Sequence, residues 1–119
     1  MKAVAVAVTA AAMLAACGGG ASGQPAGSIK VTMTEYSFSP SNLSAPSGKV
    51  VFYLVNAGSA AHDMIINDSA GKRVAGSDLV SAADALVFTV DSIAAGTYTF
   101  YCDQPGHEAS GMKGTLTVT

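Results

Sequence analysis

Tyr101 to Val118 reads Y-C-D-Q-P-G-H-E-A-S-G-M-K-G-T-L-T-V. Four residues separate Cys102 from His107, and four more separate His107 from Met112. The run begins and ends on alternating apolar and polar residues, with Pro105 and Gly106 between, so it reads as strand, tight loop, strand. In that geometry a thiol, an imidazole and a thioether gather around one point.

Sulfur donors together with imidazole select copper over hard cations. Two imidazoles and a thiolate in a trigonal set, with a weak axial Met, make the ligand set of a blue-copper electron-transfer centre. The run supplies one histidine, and the chain has only one other, His62. In A-A-H-D-M-I-I-N, read as extended, His62 shares a face with Met64 and Ile66. A lone histidine on an apolar face is ordinarily a hydrogen-bonded core residue; the downstream donors are what turn it into a candidate ligand. The cysteine argues the same way. A buried, unpaired thiol in an oxidising compartment is a liability unless something holds the sulfur. One copper per domain is therefore expected, with zinc or an empty site as the competing readings. Met33 and Met64 read as core residues.

Composition limits the rest. The chain has 119 residues, enough for one domain, and only 12% are charged, with a formal net charge of −2. That balance gives no basic surface for nucleic acid. Turn-separated runs rich in Val, Thr and Tyr favour an all-β fold.

Upstream of the domain the sequence reads as an address. Met1-Lys2 is followed by an apolar or small-residue run from Ala3 to Ala16. That run is shorter than the ~20 residues needed to span a bilayer and has the form of a secretory signal. Leu14-Ala15-Ala16-Cys17 resembles the bacterial lipobox, which implies residues 1–16 as signal peptide and Cys17 as the lipidated first residue. Two acyl chains on that cysteine would hold the protein on a membrane. Residues 17–28 then form the lipidated cysteine and a Gly/Ser-rich tether with a reach of about 20 Å. The expected location is extracytoplasmic, on a bacterial membrane facing periplasm or cell exterior.

The folded domain is expected over residues 29–119. Ile29, Val31 and Met33 alternate with polar residues, and the phase then slips at Tyr36 and Phe38, which suggests a bulge near Thr34-Glu35. Lys49 to Asn56 is apolar on both faces, as in a central strand. Ser77 to Ala83 reads as a short helix capped by Ser77. Ala85 to Val90, Thr97 to Cys102 and Thr115 to Thr119 are further strands. About seven short strands between Gly, Pro, Ser and Asn turns predict a Greek-key two-sheet β-sandwich. On the strand ending at Cys102, the thiol shares the inward face with Tyr98 and Phe100.

With these residues in view, the chain resembles the cupredoxins, and its end is similar to the azurins and auracyanins, whose ligand loop has this Cys-P-G-His-Met spacing and runs into M-K-G-T-L-T. F-S-P, G-K-V-x-F and V-N-x-G fit the family as well. The resemblance implies His62, Cys102 and His107 as strong equatorial ligands and Met112 as the weak axial one, with Pro105 and Gly106 shaping a rigid loop. It implies His107 as the electron port and a one-electron carrier rather than an enzyme. Its partners would be redox proteins, c-type cytochromes or an oxidase or reductase among them, and the carrier would be monomeric. A lipoprotein that handles or delivers copper is the alternative, although the exposed Met- or His-rich tracts it would favour are missing from the sequence.

Three positions depart from the azurin pattern. Ala61 stands where azurins have glycine, Asp63 where asparagine ties the two ligand loops together, and Asp103 where serine or threonine follows the cysteine. Asp63 and Asp103 are therefore expected close to each other and to the thiolate, where two carboxylates repel and one can hold a proton.

Overall fold

The computed structural model describes residues 23–119. The expected signal peptide over residues 1–16 and the expected lipidation site Cys17 lie outside the described residues. The described chain forms nine strands and no helix: β1 (Ile29–Thr34), β2 (Ser37–Ser39), β3 (Asn42–Ala45), β4 (Gly48–Asn56), β5 (Ile65–Asn67), β6 (Arg73–Gly76), β7 (Ala85–Ile93), β8 (Gly96–Tyr101) and β9 (Lys113–Val118).

The strands make two mixed sheets, β2-β1-β4-β7 and β3-β9-β8-β5-β6. Two pairings are parallel, β1 with β4 and β3 with β9, and the others are antiparallel. The chain changes sheet between β2 and β3, β3 and β4, β4 and β5, β6 and β7, and β7 and β8, so each sheet holds strands from distant parts of the sequence. This is the expected all-β sandwich.

The alternation in each strand decides which face is inward. In β4 the residues Val50, Phe52 and Leu54 enter the core, and Asn56 is buried at the strand end. In the facing sheet Tyr98, Phe100, Leu116 and Val118 do the same. Phe38 and Phe100 meet edge to face across the two sheets at 5.0 Å, an arrangement favoured by the ring quadrupoles. Met33 and Met64 are fully buried core residues, as expected.

Three local expectations are corrected. The phase slip after Met33 is a two-residue hairpin turn, Glu35-Tyr36, with Thr34 paired to Ser37, and not a bulge. Reversal of the chain accounts for the changed phase without an extra residue in either strand. Ser77 to Ala83 is not a helix. Val80 is extended there and trades two backbone hydrogen bonds with His62, at 3.1 and 2.8 Å. The Ser77 hydroxyl accepts the Met64 N–H and donates to the Asp78 carbonyl, so it caps nothing, and Ala83 has a φ of 63°. Burial of Val80 in the core prevails over the local helix signal. Finally, Arg73–Gly76 adds a strand, β6, to those expected, and β7 runs past Val90 to Ile93.

Candidate metal centre

The four donors come from two places at one end of the sandwich. His62 lies on the connection between β4 and β5, held by its backbone bridge to Val80. Cys102 directly follows β8 and Met112 directly precedes β9. Tyr101 pairs with Lys113 as the last rung of that hairpin, and the Cys102 N–H reaches the Met112 carbonyl at 3.2 Å. The strand register therefore sets the two sulfur residues side by side.

His107 stands in the loop between them, which folds as consecutive turns. The His107 N–H donates to Gln104, the Ser110 N–H to Gly106 and His107, and the Met112 N–H to the His107 carbonyl at 3.1 Å. Gly106 and Gly111 have φ of 80° and 104°, in the region that glycine enters without a Cβ penalty. With its backbone bonds made internally, the loop holds the His107 ring over the thiol.

The donor atoms of His62, Cys102 and His107 all lie within 4.8 Å of one another. Nδ1 of His62 is 3.2 Å from Nδ1 of His107, and the thiol is 3.9 and 3.4 Å from those two nitrogens. His62, Cys102 and Met112 are fully buried, whereas His107 is half-buried. Expectation and structure agree here: the chain's two histidines meet at the thiol. Two imidazoles, a thiol and a thioether in a nearly dry pocket fit copper, by the softness of the set. The cluster of His62, Cys102, His107 and Met112 forms a type 1 copper site.

Carboxylates surround this cluster. Oε1 of Glu35 accepts the N–H groups of Ser59 and Ala60 at 2.9 and 2.7 Å and lies 3.0 Å from Nε2 of His62. The Ala60 and Ser59 amides, with the His62 ring, hold the Glu35 carboxyl down at about 2. On the far side of the thiol, Oδ1 of Asp63 accepts the Asp103 N–H at 2.9 Å. The two acidic residues are neighbours, as expected. Burial first, and then the side-chain contact with Asp103, push the Asp63 carboxyl up to about 6. The same contact lowers Asp103. Asp63 is thus the member of the pair that takes up a proton first as pH falls. Burial raises the Cys102 thiol.

The His62 loop depends on Asn56, which is 1% exposed. Its amide donates to the carbonyls of Ala60 and Val80 at 2.8 and 2.9 Å, and its oxygen accepts the Gly58 N–H at 2.9 Å. A Cβ on Gly58 would collide with the Glu35 carboxylate. Tyr36, 45% exposed, meets the His107 ring edge to face at 5.0 Å.

Sequence reasoning missed Glu35, Tyr36 and Asn56 as site residues. For the first two the signal was the broken alternation after Met33. For Asn56 it was the V-N-x-G stretch, whose asparagine carries buried polar work.

The comparisons with known proteins agree with this geometry. The family model for the cupredoxin-like domain matches residues 4–118. The chain belongs to the cupredoxin family. It is 35% identical over 89 residues to plastocyanin from Sambucus nigra, covering 68% of this chain and 86% of that one. With plastocyanin from Daucus carota it shares 37% over 89 residues, covering 69% and 87%. Among solved structures, this cupredoxin is similar to auracyanin B, with a TM-score of 0.70, 25% identity, and coverage of 81% of this chain and 91% of that one.

Proposed function

We propose that this cupredoxin carries single electrons between extracytoplasmic redox partners, with His62, Cys102 and His107 as equatorial copper ligands and Met112 as the axial one. The observation that carries the reading is the meeting of both histidines with the Cys102 thiol inside 4.8 Å, in a chain related to plastocyanins. The copper ion, when bound, supplies the one-electron couple. Every other part of the work falls to the chain. β8 and β9 hold Cys102 and Met112 at a fixed spacing, and the Asn56 hydrogen bonds hold the His62 loop. Buried side chains keep water from the sulfur, so little has to move or be resolvated when charge changes. His107, the half-buried donor, is the route for electrons to and from a partner.

The domain would span residues 29–119, preceded by a signal peptide over residues 1–16 and by Cys17 and its tether over residues 17–28. Diacylation at Cys17 would keep the carrier on the outer face of a bacterial membrane, beside redox proteins such as c-type cytochromes, an oxidase or a reductase. Asp103 and Glu108 near His107 favour a basic docking face on such a partner. Metabolic labelling with a radioactive fatty acid should mark the full chain and leave Cys17→Ser unlabelled; equal labelling of the two would refute the anchor.

The central test is addition of Cu(II) to the soluble domain, followed by visible and paramagnetic resonance spectra. An intense thiolate-to-copper band that is lost in Cys102→Ser supports the electron carrier. A tight colourless complex would instead favour copper delivery.

A further inference from the structure

A single hairpin turn touches both histidines of the site. Glu35 and Tyr36 are its two residues; Glu35 lies 3.0 Å from Nε2 of His62, and Tyr36 lies against the ring of His107. The histidine contact at Glu35 deserves a chemical explanation, because His62 is fully buried and water cannot serve its second nitrogen. A neutral imidazole has one N–H and one bare nitrogen. Which of them bears the proton depends on the partner that each nitrogen meets.

We propose that Glu35 is the positioning residue for His62: its carboxylate takes the Nε2 proton in a hydrogen bond and so leaves Nδ1 bare toward Cys102 and His107. Oε1 is an acceptor only, so the nitrogen facing it must be the donor. Nδ1 lies 3.9 Å from the thiol and 3.2 Å from the other imidazole, on the side where a ligand atom is needed. The carboxylate is itself fixed, since the same oxygen accepts the N–H groups of Ser59 and Ala60. Gly58 leaves it room, because any Cβ there would strike the carboxylate. The arrangement thus joins the β1–β2 turn, the loop before His62 and the ring in one hydrogen-bonded unit.

A carboxylate in this place does more than a neutral acceptor. It increases the basicity of the ring it faces and favours the more highly charged state of anything bound at Nδ1. Glu35 therefore favours Cu(II) over Cu(I), and it does so behind the ligand, away from the Asp63–Asp103 pair near the thiol. This rests on His62 being a copper ligand, but the proton assignment is a property of the metal-free chain as well.

Two variants separate the positions of proton and charge. The first readout is the ring nitrogen spectrum of His62 in metal-free, ¹⁵N-labelled protein in alkaline buffer. In the native chain and in Glu35→Gln, whose amide oxygen can accept the same three N–H groups, the proton should sit on Nε2. In Glu35→Ala it should redistribute toward Nδ1; a signal unchanged from native would overturn the assignment. The second readout is the midpoint potential of the copper-loaded protein. Glu35→Gln should lower the Cu(II)-to-Cu(I) affinity ratio about tenfold, which is a rise of about 59 mV for one electron. A potential equal to native would overturn the role of the charge. Should Glu35→Ala fail to fold, the Glu35→Gln potential still decides. Should native protein give no thiolate-to-copper band, the electron-carrier reading fails, and the metal-free nitrogen spectra still decide the role of Glu35.

Discussion

The carboxylate of Asp63 accepts the backbone N–H of Asp103 at 2.9 Å, which ties the residue after the first ligand to the residue after the cysteine. One side-chain bond thereby links the β4–β5 connection to the β8–β9 loop. The link also sets the Asp63 carboxyl beside the thiol, where burial first and the contact with Asp103 second leave Asp63 more readily protonated than Asp103.

Removing that negative charge should raise the potential of the loaded site. Asp63→Asn keeps an oxygen for the Asp103 N–H, and Asp103→Thr removes the second carboxylate. The double variant should have a midpoint potential higher by on the order of 50 mV, after allowance for solvent screening of the exposed partner. Voltammetry of native and variant protein reads this directly, and an equal or lower potential would refute it.

The pair also makes the metal-free protein sensitive to pH. Asp63 titrates at about 6 when folded, above its ordinary 3.8. Between those values the folded chain holds the proton more tightly than the unfolded one, so stability falls as pH rises through the window. Asp103 is depressed, and its contribution is lost only as pH falls below its ordinary range. Urea midpoints of metal-free protein should drop from pH 4 to pH 7, and Asp63→Asn should flatten that drop.

Copper should stabilise the fold it occupies. A ligand at a thousandfold excess over its Kd adds about 4 kcal/mol, on the order of 20 °C in a domain of this size. Calorimetry with and without copper should show a shift of that order. Cys102→Ser should abolish most of it while leaving the metal-free Tm near native.

Asn56 should matter more than its distance from the thiol suggests. Asn56→Ala strips a partner from each of the Ala60 and Val80 carbonyls and from the Gly58 N–H, around a side chain that is itself 1% exposed. The expected cost is about 3 kcal/mol, read from denaturant unfolding. Weakened copper binding through His62 should accompany it.

Phe100→Ala should be the larger structural lesion. Phe100 is fully buried, meets Phe38 across the sheets and lies two residues before Cys102. Truncation should cost about 3–5 kcal/mol, depending on how far the core collapses. A loss under 1 kcal/mol would show that the two sheets are not coupled through this ring pair.

Much of the site was legible in the sequence because its chemistry is local. Cys102, His107 and Met112 occupy one hairpin, so their spacing and the strand alternation already bring them together. His62 was legible only by elimination, as the remaining imidazole. Glu35 and Asn56 were not, because their partners lie across the fold: Glu35 contacts residues 59, 60 and 62, and Asn56 reaches Val80. The strands followed from period-two alternation wherever one face was buried. The Ser77–Ala83 helix failed because the pairing of Val80 with His62 is tertiary, and local propensity carries no information about it.

β9 is wedged between β3 and β8, and three of the four donors lie at or beyond residue 102. During synthesis, the first histidine and its supporting asparagine emerge long before the cysteine exists. A partly made chain therefore cannot sequester copper in the cage, however much of its first sheet has formed. The cage waits on the β8–β9 hairpin, whose cysteine, second histidine and methionine join His62 only when that last turn is in place.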